Sequence, residues 1–200
     1  MANKPPPDPL ADLEPNDQVS RPCIAPNIFT DEECDRIIKL SDALPEIEGT
    51  IGFGDNSRVE ATIRESSLKC LTLEPDSKWV FQRVHNAISE VNKLFKYDIY
   101  GFNVIQVARY GAGDHYNTWH NDLGRGQTSL RKLSISVQLS APEDYDGGKL
   151  EFQGVKDEAQ QSKERGTTIV FPTYLTHRVT PVTRGVRWSL VVWVKGPPFR

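Results

Sequence analysis

Leu133-Ser134-Ile135-Ser136-Val137-Gln138-Leu139 alternates apolar and polar side chains without a break. Successive side chains of an extended strand point to opposite faces. Leu133, Ile135, Val137 and Leu139 therefore share one face, and Lys132, Ser134, Ser136 and Gln138 the other. The segment reads as a half-buried strand. Similar segments surround it. Ile99 to Tyr110 is rich in β-formers, Asp146-Gly147-Gly148 is a tight turn leading into Lys149 to Phe152, and Thr167 to Phe171 and Arg187 to Val194 are further strands.

The N-terminal half has a different period. Thr30 followed by Glu33 is a capping box, and Cys34, Ile37, Ile38 and Leu44 recur at near-helical spacing until Pro45 stops the run. Gly49, Gly52 and Gly54 mark a loop, and Val59 to Leu73 holds a strand or two. Ser77 to Phe95 reads as the strongest helix: Val80, Val84, Ala87, Ile88, Val91, Leu94 and Phe95 form one apolar stripe, with His85 off it and facing solvent. Residues 1 to 22 carry Pro5, Pro6, Pro7, Pro9, Pro15 and Pro22 and read as a disordered, Pro-rich tail ahead of a single domain over 23–200. No internal repeat is visible. Helices followed by many short strands predict an α+β chain with a β-sandwich or barrel core.

Composition narrows the class. With 200 residues, 38% hydrophobic and 26% charged, the chain suits an ordinary globular protein. A net charge of -3 lacks the basic surplus of a general nucleic-acid binder. Cys23, Cys34 and Cys70 are odd in number and widely spaced, which predicts reduced thiols and no zinc knuckle or disulfide framework. Met-Ala-Asn-Lys-Pro-Pro-Pro is no signal peptide, and no apolar run is long enough to span a bilayer, so a cytoplasmic location is expected.

Two of the four histidines carry the chemistry. His120 and Asp122 are two residues apart, so in an extended segment both can meet one ion. His177 lies 55 residues beyond Asp122, just past a strand. Two imidazoles and one carboxylate on one side of a metal leave positions open, as in the facial triad of non-haem Fe(II) oxygenases. A His-x-Asp spacing alone is common by chance. Arg187 adds weight: it opens an otherwise apolar strand, sharing a face with Ser189, Val191 and Trp193, while Trp188, Leu190, Val192 and Val194 share the other. A guanidinium there is costly to bury unless it meets an anion. A dicarboxylate co-substrate supplies one, and a structural salt bridge to an Asp or Glu is the competing reading. His115, next to Asp114 and two from Asn117, reads as loop or substrate-side and not as a ligand.

At these residues the chain resembles a family. Tyr110-Gly111-Ala112-Gly113-Asp114-His115-Tyr116-Asn117-Thr118-Trp119-His120-Asn121-Asp122 looks like the first metal motif of the prolyl-4-hydroxylase-like 2-oxoglutarate/Fe(II) dioxygenases. Residues 133–140 and 144–150 are similar to the next strands of PKHD-type hydroxylases. Phe171-Pro172 and His177-Arg178-Val179-Thr180-Pro181-Val182-Thr183-Arg184-Gly185-Val186-Arg187 resemble the second metal motif. The resemblance covers about 97–196 and implies a double-stranded β-helix, the jelly-roll or cupin-like core, with N-terminal supporting helices. It implies Fe(II) on His120, Asp122 and His177, and 2-oxoglutarate on Arg187. Tyr110 stands where the family often bonds the same carboxylate, and Ser189, on Arg187's face, is grouped with them. One departure is that three residues, Asn117, Thr118 and Trp119, separate Tyr116 from His120 where the family usually has two. Gly196-Pro197-Pro198-Phe199-Arg200 lacks an obvious counterpart.

The implied reaction is hydroxylation of a C–H bond of an amino acid, peptide or protein substrate with O2, releasing succinate and CO2; ascorbate is a candidate stimulant. The carboxylate of Asp122 leaves no spare site for chloride, which favours hydroxylation over halogenation. Tyr116, Trp119 and Trp188 are aromatic candidates for a substrate pocket. Nucleic-acid demethylases of this kind carry a second arginine six residues after the first, where this chain has Trp193. The alternative from another class is a non-catalytic metal- or ligand-binding module of the same barrel. Gly111 to Arg131 reads as a loop beside the metal and a candidate lid. The oligomeric state is not readable.

Overall fold

The computed structural model describes residues 14–25, 27–48, 64–155 and 163–199. The elements follow in chain order: β1 (Cys23–Ala25), α1 (Asp31–Asp42), β2 (Ile47–Glu48), β3 (Arg64–Glu65), β4 (Ser67–Leu71), α2 (Lys78–Phe95), β5 (Ile105–Tyr110), β6 (His115–His120), β7 (Arg131–Gln138), β8 (Tyr145–Gly147), β9 (Leu150–Phe152), β10 (Thr168–Pro172), β11 (His177–Val179), β12 (Val182–Gly185) and β13 (Arg187–Lys195). The capping box of Thr30 and Glu33 is present on both arms. The glycine loop at 49–54 lies outside the described residues.

Seven strands form one sheet in the order β1-β10-β7-β13-β5-β4-β2, four form a second in the order β3-β6-β11-β9, and β12 pairs with β8. All of these pairings are antiparallel. Strand periodicity divides the large sheet's side chains between two cores. Leu133, Ile135, Val137, Ile105, Val107, Leu190, Val192 and Val194 pack with Ile37 of α1 and Val80, Val84, Ile88 and Phe95 of α2. The opposite face contributes Ala108, Tyr110, Ile169 and Phe171, which pack with Leu150, Phe152 and Val179 of the small sheet. The result is a helix layer, a large sheet and a small sheet. This is the α+β double-stranded β-helix expected.

Three local readings are corrected. β7 was expected to be half-buried, yet its polar positions Lys132, Ser134, Ser136 and Gln138 are buried as well. β7 lies in the interior of the seven-stranded sheet, and its polar face turns to the space between the two sheets. Leu94 was placed in the apolar stripe of α2 but is 50% exposed, and Phe81 takes its place in the core. Leu94 sits roughly a quarter turn from the middle of the buried arc, and the sheet covers only that arc. Within the stretch read as a tail, Asp17–Ser20 forms a 3-10 turn, and the Asn16 amide docks it by donating to the Leu94 and Phe95 carbonyls. At the other end, Phe199 packs edge-on against Tyr97 and Tyr174.

Candidate active site

A cleft of about 220 Å³ opens between the two sheets. Its floor is the face of the large sheet that carries Tyr110, Ser136, Arg187, Ser189, Val191 and Trp193, and its far wall carries Tyr116, His120, Leu150, His177 and Val179. His120, Asp122, His177, Arg187, Tyr110 and Ser189, expected from the sequence to act together, all line this one space.

Backbone pairing brings the two histidines together. β6 and β11 are antiparallel neighbours with His120 opposite His177. Their ring centroids are 4.3 Å apart. Asp122 follows β6 by two residues and is held by its backbone: its N–H and that of Leu123 donate to the Thr173 carbonyl at 2.8 and 3.1 Å. One donor atom from each of His120, Asp122 and His177 falls within 4.8 Å of the others. Each imidazole is oriented from behind. Nδ1 of His120 lies 2.9 Å from the Thr118 carbonyl, and Nδ1 of His177 lies 2.9 Å from the Leu175 carbonyl. A carbonyl can only accept, so each Nδ1 carries its ring's proton and each Nε2 keeps a free lone pair. Such a set fits a first-row divalent ion with coordination positions to spare.

The electrostatics keep these groups in ligating form. His120 is pushed down to about 4, chiefly by burial and then by the charge of His177. It is therefore neutral across the physiological range. For Asp122, burial works to raise the carboxyl, but His177, His120, the Ser134 hydroxyl and Arg131 outweigh it and hold it below its ordinary value. Ser134 Oγ donates to Asp122 Oδ2 at 2.6 Å. Tyr116 stacks on the His120 ring with centroids 3.6 Å apart. The β6–β11 register shifts between these two positions, four residue steps of β6 facing two of β11, and this irregularity lets Tyr116 fold back onto the His120 ring.

Arg187 bears on the choice left open by the sequence. It is 1% exposed, and among the described residues no carboxylate pairs with it. Nη1 donates to Ser189 Oγ at 3.3 Å, Nε has no acceptor, and the buried Tyr145 hydroxyl lies close enough to feel the guanidinium's charge. A structural salt bridge is therefore absent there. Tyr110 sits directly across from Arg187 in the sheet, with the guanidinium carbon 5.6 Å from its ring centroid. A buried guanidinium that faces a cleft without a carboxylate partner among the described residues has the chemistry to hold an anion. Its donor fork fits the far carboxylate of 2-oxoglutarate.

Other expectations are redistributed. Tyr116 lines the cleft, but Trp119 lies outside it beneath the Arg178 guanidinium, and Trp188 packs on the helix-side core. The stretch 111–131 is not one loop: it contains β6 and a 3-10 turn at Gly126–Leu130, and the Thr173 carbonyl pins it. His115, expected in a loop, opens β6, and its Nδ1 accepts from the Asn117 amide. The sequence reading missed Arg131, Ser134 and Trp193. Arg131 Nη1 donates to the Asp122 carbonyl at 3.1 Å, and its guanidinium lies 4.0 Å from the Trp193 ring centroid. The alternation of β7 held the signal for Ser134, because its polar face was the one turned to the metal ligands.

Comparison with known proteins agrees with this geometry. Residues 105–195 match the model of the 2OG-Fe(II) oxygenase superfamily. A PKHD-type hydroxylase of Synechococcus sp. (strain JA-2-3B'a(2-13)) is 30% identical over 178 residues, spanning 86% of this chain and 77% of the relative. Among solved structures, a Pseudomonas putida prolyl-4-hydroxylase superposes with a TM-score of 0.65 at 18% identity, over 88% of this chain and 92% of the other. A Trichoplax adhaerens prolyl hydroxylase in complex with a hypoxia inducible factor peptide fragment superposes with a TM-score of 0.70 at 19% identity, over 88% and 83%. Those two likenesses concern the fold. No described helix is long and apolar enough to cross a membrane. The chain belongs to the 2-oxoglutarate/Fe(II)-dependent oxygenase superfamily, as an enzyme whose cofactors are Fe(II) and 2-oxoglutarate.

Proposed function

We propose that the protein hydroxylates a C–H bond of an amino acid, peptide or protein substrate, with His120, Asp122 and His177 holding the iron and Arg187, Tyr110 and Ser189 holding the far carboxylate of 2-oxoglutarate. The observation that carries this reading is the buried Arg187 guanidinium without a counter-ion, in the same cleft as a two-histidine, one-carboxylate cluster. Relatives named as PKHD-type hydroxylases, and a neighbour of the same fold solved in complex with a peptide fragment, support a hydroxylase of amino-acid-like groups.

Bound together, Fe(II) and 2-oxoglutarate supply the oxidation: O2 gives one oxygen atom to the succinate formed as CO2 leaves, and the other to the substrate C–H bond. The chain's own part is positional. The Thr118 and Leu175 carbonyls fix the imidazole tautomers, and Ser134 fixes the Asp122 carboxylate. Arg187 sets the co-substrate's far end. Leu150, Phe171 and Val179 give the cleft an apolar wall that limits water. A carboxylate at 122 keeps halide from the metal. Succinate formation measured with added Fe(II), 2-oxoglutarate and O2 tests the reading. Metal-dependent succinate release that is lost in His120→Ala, Asp122→Ala and His177→Ala is the expected result. Undiminished release in any of the three would remove that residue from the site.

A further inference from the structure

Between β10 and β11 the chain turns through residues 173–176, and two of the three metal ligands hang on that turn. The Thr173 carbonyl accepts from the Asp122 and Leu123 backbone N–H groups, and the Leu175 carbonyl holds Nδ1 of His177. Tyr174 lies between these two anchors and does not line the cleft. It is 37% exposed, yet its hydroxyl is bonded on two sides, to the Val19 carbonyl at 2.7 Å and the Tyr97 hydroxyl at 2.9 Å. A carbonyl can only accept, so the Tyr174 proton goes to Val19 and Tyr97 donates its own to Tyr174. Burial pushes the Tyr97 hydroxyl up, and the contact with Tyr174 adds to the rise, which keeps that proton in place.

Each partner of Tyr174 is itself tied down. Val19 belongs to the 3-10 turn Asp17–Ser20, which the Asn16 amide docks on the end of α2. Asn92 of α2 grips both backbone groups of Tyr97: its Oδ1 accepts from the N–H at 3.2 Å and its Nδ2 donates to the carbonyl at 2.8 Å. Phe199 closes the cluster edge-on against both tyrosine rings, and Lys132 Nζ sits 3.2 Å from the centre of the Phe199 ring. The Lys132 carbonyl in turn accepts from the Thr173 N–H. Two routes therefore run from the aromatic cluster to the turn, one through Tyr174 and one through Lys132. Asn16, Val19, Tyr97 and Phe199 all fall outside the stretch 105–195 that matches the superfamily model, so membership of the superfamily does not by itself account for the cluster.

A short surface turn has little packing of its own, whereas metal ligands need placement to within about half an ångström. Resting on the oxygenase reading, we infer that Tyr174 is a positioning residue for the iron site: held by Val19, Tyr97 and Phe199, it braces the 173–176 turn, and through Thr173 and Leu175 it keeps Asp122 and His177 in place. Residues far from the cleft thereby act on metal affinity without touching the metal.

The test is anaerobic Fe(II) titration of the full-length protein, read by competition with a chromogenic chelator. Tyr174→Phe keeps the ring and removes both hydrogen bonds. Its Fe(II) binding should weaken roughly three- to tenfold, while the KM for 2-oxoglutarate at saturating Fe(II) changes by less than about twofold. Tyr97→Phe leaves the Val19 bond in place and should show a smaller loss. Tyr174→Leu also removes the ring against Phe199 and should show a larger one. Val84→Ala hollows the helix-side core and measures what general destabilisation does: it should lower the melting temperature and leave Fe(II) affinity unchanged within about twofold. Unchanged Fe(II) affinity in both Tyr174 variants, an equal rise in the KM for 2-oxoglutarate, or a loss in Val84→Ala as large as that in Tyr174→Phe would overturn the inference. Folded wild-type protein that binds no Fe(II) would sink the oxygenase reading and the brace with it, whereas wild-type binding with unchanged Tyr174 variants sinks the brace alone.

Discussion

His120 and His177 face one another across the β6–β11 pair, each with Nδ1 bound from behind by a carbonyl two residues before it in sequence. The same short local arrangement therefore orients both imidazoles, and cross-strand register brings their Nε2 atoms to one point. Backbone geometry alone therefore sets the placement of both rings.

Metal-free protein should lose stability as the pH falls from about 6.5 towards 4. His120 titrates near 6.5 when unfolded but only near 4 when folded. Between those values the unfolded chain binds the extra proton, so its population is favoured as the pH drops and stability rises with pH. The full shift corresponds to up to about 3 kcal/mol at 1.36 kcal/mol per unit. Denaturant unfolding at several pH values, for wild type and His120→Gln, checks this. The variant should show a shallower slope, and an identical slope would show that His120 is not held neutral by the fold.

Arg187→Met should separate ligand binding from stability. Removing a charge-assisted pair with a buried carboxylate should cost on the order of 2–4 kcal/mol, or roughly thirty- to a thousandfold in the 2-oxoglutarate requirement. The ligand-free protein should meanwhile melt at the same or a higher temperature, because an unpaired buried cation is replaced by an apolar chain of similar length. A large fall in the ligand-free melting temperature, with an unchanged 2-oxoglutarate requirement, would make Arg187 structural.

Gly148→Ala should act on the same carboxylate site from behind. Gly148 has φ +56, and a Cβ there would lie 2.8 Å from Arg187 Cδ and 3.0 Å from Val182 Cγ2. Both side chains are buried, so the guanidinium has to shift. The KM for 2-oxoglutarate should rise roughly tenfold or more, while Fe(II) affinity changes little. An unchanged KM would mean the turn gives way instead.

Ser134→Ala should weaken Fe(II) binding by about ten- to a hundredfold, the usual effect of removing a group that orients a ligand. Its hydroxyl donates to the Asp122 oxygen nearest His177, which are 3.6 Å apart. Titration of metal-free protein with Fe(II) under anaerobic conditions measures it. Equal affinity in variant and wild type would show that the Thr173 backbone contacts alone hold Asp122.

Ser134 also shows how far the sequence could be read. Alternation along Leu133 to Gln138 correctly sorted side chains onto two faces, because that follows from strand geometry alone. It could not say what covers the polar face, which depends on strands β6 and β11 folding over from elsewhere in the chain. The same limit hid Arg131 and Trp193, which meet across neighbouring strands. His120, Asp122 and His177 were legible because their residue types and spacings fit a metal. Arg187 was legible as an anomaly on an apolar strand, but its lack of a carboxylate partner among the described residues became visible only once its neighbours were in place. The exposure of Leu94 was unreadable because a helix's own periodicity does not state how wide an arc the sheet will cover.

The most direct test of the account is anaerobic visible absorbance of the protein with stoichiometric Fe(II) and 2-oxoglutarate. The account predicts a metal-to-ligand charge-transfer band in wild type, absent in His177→Ala and appearing in Arg187→Met only at much higher 2-oxoglutarate. No band in folded wild-type protein, or an undiminished band in His177→Ala, would contradict it.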